Sequence, residues 1–426
     1  MQAPLQPARG ITGSLPDGSI VDIELCADAD GVTRVCDIRA HARDREADDW
    51  LDLRGFVLTT AAAEPHAHLD KALSAAVLKP PLGDLTEAIT SWRAGSTRLD
   101  EESFRRRGLA AAEAMLRNGI TAVATHVDVL SNGDPLRAIH ALADVRDHLR
   151  EVMTIQIAAL APPNTPTARL EAALDAGADL VGGAPHIADD PLAELATLLD
   201  VAEKYGVGAD LHIDEFLDGD HLTIEAYADR VADWPADRIR RAGHCSRLST
   251  LPPEDLLRVA ESLARASVSV IALPITNLYL QGRHGPSAGR RGITAIDALR
   301  DAGVLVAAGA DNIRDPFNPV GRADPLETAS LLVTAAHQTP SAAVDLVTDS
   351  ARAALGIEPA GARVGARADF LAVRGSDLIE VIATAPADRV VIVNGAPVAR
   401  TETTSWTAVP SPVAHPSPSL CAVEAS

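Results

Sequence analysis

The sequence predicts an α/β fold: a TIM-like (β/α)8 barrel with a small β-sandwich formed by both chain ends. From residue 56 onward, eight short apolar runs alternate with alanine-rich helical stretches, which is typical of parallel βα units. Short strand-like segments with turn residues occupy both ends of the chain. At 426 residues the chain is long enough for one barrel of roughly 250 to 300 residues and a smaller companion domain.

The two chain ends are predicted to form one β domain. Residues 1–55 contain the segments SIVDIELCAD and VTRVCDIRAH, separated by a turn at Asp30-Gly31. Residues 360–409 contain GARADFLAVRG and DRVVIVNGAPVAR, with Asn394-Gly395 as a hairpin turn. We expect these parts to join in one β-sandwich, and residues 410–426, which are rich in Pro and Ser, to be a flexible tail.

Residues 56–359 are predicted to form the barrel. Helical segments such as FRRRGLAAAEAMLRNG have apolar residues at a spacing near 3.6 and end at a glycine. The candidate strands between these helices are Phe56–Ala63, Ile120–Val129, Met153–Leu160, Leu180–His186, Gly208–Ile213, Arg241–Cys245, Val268–Pro274 and Val304–Ala310.

Charge and composition exclude several function classes. A formal net charge of -21 repels polyphosphate, so we expect small-molecule substrates and no nucleic-acid polymer, while a free nucleobase remains compatible. The N-terminus has no signal-peptide pattern and no run of about 18 apolar residues occurs, so we expect a cytoplasmic protein without membrane contact. No Walker pattern and no G-x-G-x-x-G after a strand is present, which argues against nucleotide cofactors.

The four cysteines are Cys26, Cys36, Cys245 and Cys421. They include no C-x-x-C pair and no dense framework, which argues against disulfide scaffolding and against a cysteine-rich zinc site. We therefore expect a reducing compartment.

Polar residues follow the predicted strands at the ends where a parallel barrel has its active site. The first strand continues into Glu64-Pro65-His66-Ala67-His68, and residues at i and i+2 of an extended chain project to the same side. Two imidazoles can thus reach one ion. The fifth strand ends at His212.

Three further polar residues complete this pattern. Glu215 comes three residues after His212, at a position suited to a general acid or base, although a cap of the next helix is an equally good interpretation. The sixth strand runs into His244 and the eighth into Asp311. Four strand ends carrying such side chains together predict a metal site.

Imidazole and carboxylate ligands suit zinc, iron or manganese, and the residues do not choose among them. Two-metal barrels often use a carbamylated lysine at the end of the fourth strand. The lysines of this chain are Lys71, Lys79 and Lys204, and none ends that strand. One divalent metal ion is the better count.

Several motifs resemble the cytosine deaminase-like branch of the amidohydrolase superfamily over nearly the whole chain: EPHAHLDKAL, THVDV, PHI, HIDE, GHCS, ALPITNLYLQGR, RRGIT and GADNIRDPFNP. The resemblance implies a single metal ion. It implies the following roles: metal ligands His66, His68, His212 and Asp311, a proton shuttle at Glu215, and His244 to orient or polarise the metal-bound hydroxide.

The resemblance also implies substrate contacts, and the chain departs from it at one place. Cytosine deaminases end strand three with Phe-Pro-Gln, whereas this chain has Leu160-Ala161-Pro162-Pro163-Asn164, which puts cytosine itself in doubt. The implied substrate-binding residues are Leu85, Pro162, Asn312 and Phe317, the last as an aromatic wall for a flat ring.

Other residues have two interpretations. Tyr279, Gln281 and Arg283 could face the pocket mouth or hold the loop after strand seven. For His126 and His186, a packed and hydrogen-bonded histidine is favoured over a substrate contact.

These observations predict a metal-dependent hydrolytic deaminase of an amino-substituted N-heterocycle, cytosine-like or related. The metal-bound hydroxide attacks the ring carbon, Asp311 accepts the proton of the water, Glu215 protonates the ring nitrogen, and ammonia leaves.

The same machinery could instead release an alkylamine from an aminotriazine-like ring, or a cyclic amide could be cleaved. A catalytically inactive barrel that acts as a scaffold is disfavoured because every ligand position is filled. The deaminase pattern His-x-Glu with Pro-Cys-x-x-Cys is absent, and self-association is left open.

Overall fold

The computed structural model describes residues 6–42, 49–219, 221–283 and 290–408. It contains an eight-stranded sheet and a seven-stranded sheet, the latter built from both chain ends. The predicted fold class is therefore confirmed.

The eight-stranded sheet is the barrel, and its neighbouring strands follow the order of the chain. Its strands are β5 (Ala62–Ala67), β6 (Ile120–Asp128), β7 (Thr154–Ala161), β8 (Leu180–Gly183), β9 (Gly208–Ile213), β10 (Arg240–His244), β11 (Ser269–Ala272) and β12 (Val306–Ala308). All their pairings are parallel. A parallel bridge between Ala67 and Asp311 joins the first and last strands just beyond β12. This bridge brings two ends of the predicted site together.

The second sheet has the strand order β15-β14-β13-β4-β1-β2-β3. Its strands are β1 (Gly10–Ser14), β2 (Ile20–Ala27), β3 (Thr33–Ala40), β4 (Trp50–Thr60), β13 (Phe370–Arg374), β14 (Arg389–Val393) and β15 (Ala396–Thr401). The sheet has its own apolar core, in which Ile11 and Ile23 pack with Phe370 and Ile392. The tail predicted at 410–426 lies outside the described residues.

Helices cover the barrel and shape its mouth. They are α1 (Ala75–Leu78), α2 (Leu85–Ser96), α3 (Glu101–Arg117), α4 (Arg137–Leu149), α5 (Thr167–Asp175), α6 (Pro191–Tyr205), α7 (Thr223–Val231), α8 (Pro253–Arg265), α9 (Pro274–Leu280), α10 (Ile296–Asp301), α11 (Pro325–Ala336), α12 (Pro340–Val347), α13 (Asp349–Ala354) and α14 (Leu378–Thr384). Within the described part of the chain, none of them combines the length and apolar character that a membrane crossing requires.

Helix α2 starts where its local sequence requires it. The Asp84 side chain accepts a hydrogen bond from the Glu87 N–H, and the Glu87 side chain accepts one from the Asp84 N–H. This reciprocal capping box satisfies backbone donors that the first turn leaves free. The helix then places Leu85, Ile89 and Trp92 on one face, because residues three and four apart are neighbours on a helix.

The first barrel strand was predicted at Phe56–Ala63, and this prediction is wrong in its limits. Phe56 and Thr60 belong to β4, which pairs with β13 in the other sheet, and the barrel strand begins at Ala62. Both sheets bury this segment on an apolar core, so hydrophobicity does not change where the chain passes from one sheet to the other. Strand β4 also crosses residue 55, the domain boundary that remains a prediction.

Three strands end two or three residues earlier than predicted, and among them β12, expected to reach Ala310, ends at Ala308. Strand β8 ends at Gly183, and His186 lies in the 3-10 turn Pro185–Ile187. Strand β11 ends at Ala272, since Pro274 begins α9 at a position where proline suits a helix.

A disulfide joins Cys26 to Cys36 across the neighbouring strands β2 and β3. The expectation of no disulfide scaffolding is thus corrected at one place. Sequence spacing could not show the pairing, because it depends on the register of two strands. Cys245 is a free, buried thiol, and Cys421 lies outside the described residues.

Candidate active site

The strand-end side chains meet at one cavity of about 340 Å³ at the C-terminal end of the barrel. Among its lining residues are His68, His212, His244, Glu215 and Asp311. His66 is fully buried directly behind this wall. The barrel thus brings together the six residues predicted for the metal and the proton chemistry.

Imidazole nitrogens converge at the base of the cavity. The Nε2 atom of His212 lies 3.2 Å from Nε2 of His66 and 3.2 Å from Nε2 of His68. Nε2 of His68 lies 3.3 Å from Oδ1 of Asp311. Four atoms bound tetrahedrally at about 2.0 to 2.1 Å from one zinc ion are separated by about 3.3 Å. Three of the six separations among these donor atoms match this value, which makes the four side chains candidate ligands of one divalent metal ion.

Hydrogen bonding alone does not account for this cluster. Oδ1 of Asp311, Nδ1 of His66 and Nδ1 of His212 are buried without a hydrogen-bond partner in the described structure. Burial, followed by the neighbouring imidazoles, lowers the pKa of His66 and of His212 well below the usual value. Neutral imidazoles have a lone pair to donate, which is the form that binds a metal.

Asp311 is held in an uncommon conformation. Its φ angle is 64°, and His244 has a φ of 68°. Residues other than glycine uncommonly adopt such angles, although Asp and His do so more often than most. Burial and then the nearby Glu215 raise the pKa of Asp311 well above its usual value. A bound cation acts in the opposite direction.

Glu64 accepts hydrogen bonds from backbone groups on both sides of the seam between the first and last barrel strands. Its Oε1 accepts a hydrogen bond from the His66 N–H at 3.2 Å, and its Oε2 accepts one from the Ala310 N–H at 2.8 Å. Burial raises the pKa of Glu64 to about 8, against the lowering effect of these backbone donors. Sequence reasoning gave Glu64 no role, although an acidic residue inside a fully buried strand is unusual enough to be noticed.

His244 is oriented by a residue from the next barrel unit. Its Nδ1 lies 2.8 Å from Oδ1 of Asn277, on α9, and 3.4 Å from Oε1 of Glu215. Because an amide oxygen only accepts, the ring proton is on Nδ1 and Nε2 carries the lone pair. Nε2 faces Oδ2 of Asp311 at 3.9 Å. Burial lowers the pKa of His244 to about 3, so the ring is neutral.

Glu215 is buried at the cavity, and burial raises its pKa to about 8. The alternative role as a helix cap belongs to its neighbour instead. Asp214 accepts hydrogen bonds from the backbone N–H groups of Thr223 and Ile224 at the start of α7. This leaves the Glu215 carboxyl facing the cavity.

The four predicted substrate contacts, Leu85, Pro162, Asn312 and Phe317, all line the cavity. The Asn312 amide already has protein partners, since its nitrogen donates to Asp315 at 2.9 Å and its oxygen accepts from Thr276 at 3.3 Å. Asn312 therefore shapes this wall more than it offers free hydrogen-bonding groups.

A buried ion cluster forms another part of the wall. The Lys71 Nζ lies 2.6 Å from Oδ1 of Asp128 and 3.1 Å from Oδ2 of Asp70, and the Trp92 indole N–H donates to Asp128 at 2.7 Å. Burial favours the neutral amine, but the two carboxylates outweigh it and raise the pKa of Lys71. Sequence reasoning used this lysine only to count metals. Its position directly after the His-x-His segment was the available signal.

His126 and His186, each of which had two interpretations, occupy different environments in the structure. His126 lies in the barrel interior, with its ring centroid 4.1 Å from that of His66 and its Nε2 3.4 Å from Oδ1 of Asp210. Its ring lies close enough to His66 and His212 for the three to share an ion. His186 instead lines the cavity, and its Nδ1 lies 3.1 Å from the carbonyl oxygen of His212.

Tyr279, Gln281 and Arg283 do not line the cavity, although Thr276 and Leu280 of the same segment do. Gln281 donates from Nε2 to the Ser246 hydroxyl at 3.0 Å. Arg283 donates to the carbonyl of Tyr279 at 2.7 Å and stacks over its ring. These contacts favour the role of holding the loop.

Comparison with known proteins gives one family and several relatives. The amidohydrolase family model matches residues 79–399. A pterin deaminase of Rhizobium rhizogenes is 29% identical over 354 residues, which are 81% of this chain and 81% of the relative.

Solved structures show the same fold. A 5-methylcytosine deaminase from Klebsiella pneumoniae, liganded with 5-fluorocytosine, has a TM-score of 0.83 and 26% identity, covering 93% of this chain and 99% of that chain. An N-isopropylammelide isopropylaminohydrolase from Burkholderia multivorans has a TM-score of 0.73 and 26% identity, covering 92% and 98%.

Proposed function

Because this chain belongs to the amidohydrolase family and is a hydrolase of carbon–nitrogen bonds, we propose that it deaminates an amino-substituted N-heterocycle and releases ammonia. The observation that carries the proposal is the arrangement of Glu215. Its buried carboxyl has a pKa raised to about 8 and lies in the same cavity as the cluster of imidazoles and Asp311.

His66, His68, His212 and Asp311 would hold one divalent metal ion, which is zinc, iron or manganese. When bound, such an ion lowers the pKa of a coordinated water to near neutrality and so supplies the nucleophile. The groupings His66-His126-His212 and His66-His244-Asp311 could also hold an ion, but they share His66 and so describe neighbouring positions in one site.

The chain's own groups move the protons. Through Oδ2, the oxygen that is not part of the donor set, Asp311 accepts the proton that the attacking water loses. Burial raises the pKa of Glu215 to about 8 and so favours the protonated carboxyl, which delivers its proton to the ring nitrogen beside the reacting carbon. Glu215 then takes the proton of the new hydroxyl group and passes it to the amino group, which leaves as ammonia. His244 presents the Nε2 lone pair toward Asp311 and orients the water.

The cavity walls favour a flat ring. Phe317 offers an aromatic face, and Leu85 and Pro162 offer apolar contacts. The amide of the segment after β7, Asn164, is exposed and does not line the cavity, so cytosine lacks the partner that the resemblance would require. Pterin is the first substrate to test, since a pterin deaminase is among the relatives. The cytoplasm stays the proposed compartment, although the Cys26–Cys36 disulfide is uncommon in a reducing environment, and self-association is left open.

Release of an alkylamine is the second candidate, because the isopropylaminohydrolase relative matches nearly the whole chain. The leaving nitrogen would simply carry an alkyl group. A panel of pterin, cytosine, isocytosine and N-alkylated aminotriazines, assayed for both ammonia and alkylamine, separates the two. Ammonia release from an amino heterocycle is expected, whereas alkylamine as the only product would reject the deaminase.

A further inference from the structure

We propose that His186 is a specificity residue that accepts a hydrogen bond from an N–H group of the heterocycle. This inference rests on the proposed function and adds a statement about the substrate. The substrate must carry a ring N–H or a second amino group on the side that faces the end of β8. The imidazole of His186 would thereby replace the amide that is missing after β7.

The position of His186 is fixed by the fold. It lies in the 3-10 turn Pro185–Ile187 that follows β8, and only 7% of its surface is exposed. Its Nδ1 lies 3.1 Å from the backbone carbonyl oxygen of His212. A carbonyl oxygen only accepts hydrogen bonds, so the ring proton must be on Nδ1.

The other ring nitrogen is therefore an acceptor. Nε2 of His186 is buried, and it has no hydrogen-bond partner in the described structure. Leaving a buried acceptor without a partner costs about 1 to 3 kcal/mol, so such an atom calls for an explanation. Nε2 itself has almost no exposed surface, but other atoms of His186 line the cavity, so a small movement of the ring lets a bound molecule supply the missing donor.

The part of the cavity wall beside His186 has no side chain that could donate a hydrogen bond to its Nε2. Pro162, Pro163, Ala184 and Ile187 line the same cavity, and none of their side chains carries an N–H or O–H group. Proline also has no backbone N–H.

The hydrogen bond to the His212 carbonyl also fixes the position of His186 relative to the imidazole cluster. His186 is bonded to the backbone of a residue whose side chain belongs to the imidazole cluster. The acceptor is thus held at a fixed offset from the reacting end of the cavity. A heterocycle in which this N–H is methylated would lose the hydrogen bond and clash with the ring.

Two substitutions separate the two nitrogens of His186. In His186→Asn the amide nitrogen occupies the place of Nδ1, so the bond to the His212 carbonyl is kept and the acceptor facing the cavity is lost. In His186→Gln the terminal amide occupies the place of Nε2, so an acceptor can face the cavity while the bond to His212 is lost. His148→Asn, on the exposed side of α4, is the matched control.

The experiment measures binding of pterin and of its singly N-methylated derivatives to the metal-loaded protein by calorimetry, in a Glu215→Gln background that prevents turnover. We expect His186→Asn to bind pterin about three- to tenfold more weakly, which corresponds to one hydrogen bond, with unchanged metal content. We also expect the chain with His186 to discriminate against one N-methyl derivative, and His186→Asn to lose that discrimination. His186→Gln should keep part of it.

Equal binding of pterin by His186→Asn and by the control, or discrimination that survives in His186→Asn, would overturn the proposal. Because binding is measured without turnover, these outcomes differ from a failure of the proposed function, which appears as the absence of ammonia from the wild-type enzyme. If pterin does not bind, the same comparison is made with the panel heterocycle that binds most tightly.

Discussion

The carboxylate of Glu64 accepts a hydrogen bond from the backbone N–H of Ala310 at 2.8 Å, and so connects the first barrel strand to the residue before Asp311. The other oxygen of Glu64 accepts from the N–H of His66. One side chain thereby positions two of the proposed metal ligands. At this seam the described residues have one parallel bridge, between Ala67 and Asp311, and the Glu64 side chain adds the hydrogen bond to Ala310.

Glu64→Gln should weaken metal binding. An amide has only one oxygen, so one of the two backbone N–H groups would face an NH₂ group and the seam would shift. Residues that orient ligands in this way typically change metal affinity about 10- to 100-fold. Competition with a chelator measures the metal dissociation constant, and Glu101→Gln on the exposed side of α3 is the control. Unchanged affinity in Glu64→Gln would remove this role.

Metal removal should abolish activity reversibly. Chelation followed by dialysis is expected to give an inactive chain with its fold retained, and zinc, iron or manganese should restore activity at one ion per chain. Elemental analysis of the reactivated protein measures this ratio. Two ions per active chain would contradict the single site and would favour a cyclic amidase.

Proton delivery from Glu215 predicts an alkaline limit on kcat. Burial raises the pKa of Glu215 to about 8, so the carboxyl is protonated below this pH and loses its proton above it. The protonated form is the active one, so kcat should fall as the pH rises. The midpoint lies at or below about 8, because a nearby cation lowers the pKa of a carboxyl. A kcat that still increases above pH 9 would exclude Glu215 as the proton donor.

Asn277 is expected to act through His244. Removing its acceptor in Asn277→Ala frees the imidazole to turn or change tautomer, which should lower kcat about tenfold with little change in KM and in metal content. Asn277→Asp retains an acceptor oxygen at the same place and should recover part of the loss. Steady-state kinetics with metal analysis distinguishes this from damage to the fold, and full activity of Asn277→Ala would show that His244 needs no such support.

The Lys71 cluster should contribute to stability. Asp128→Ala leaves a buried ammonium with one carboxylate in place of two, and breaking a buried pair in this way costs about 3 to 5 kcal/mol. Urea denaturation measures the change in the free energy of unfolding. Glu225→Ala, which removes a partly exposed pair with Arg258, should cost less than about 1 kcal/mol. Similar losses for the two variants would mean that the cluster is not structural.

The sequence predicts the fold and the residues of the site well where the barrel topology alone determines which strand ends lie together. Parallel strands end at the same face, so side chains at or just beyond the ends of β5, β9, β10 and β12 must meet there whatever their spacing along the chain. This is why His66, His212, His244 and Asp311 could be named together.

Other features depend on proximity that the sequence does not encode locally. Asn277 meets His244 although 33 positions separate them, and the role of Asp214 as the cap of α7 is visible only when the intervening loop is folded. The β4 to β5 transition has no hydrophobic signal, because both sheets bury this segment. The free acceptor of His186 likewise appears only after the carbonyl of His212 is placed.

The most direct measurement compares the wild-type enzyme with Glu215→Gln on the heterocycle from which the wild type releases ammonia. Both proteins are loaded with the same metal, and ammonia and the oxo product are quantified in single-turnover reactions. We predict one ammonia for each heterocycle converted by the wild type, and a loss of at least about 100-fold in rate for Glu215→Gln with unchanged metal content. A Glu215→Gln variant that retains the full rate would contradict the account.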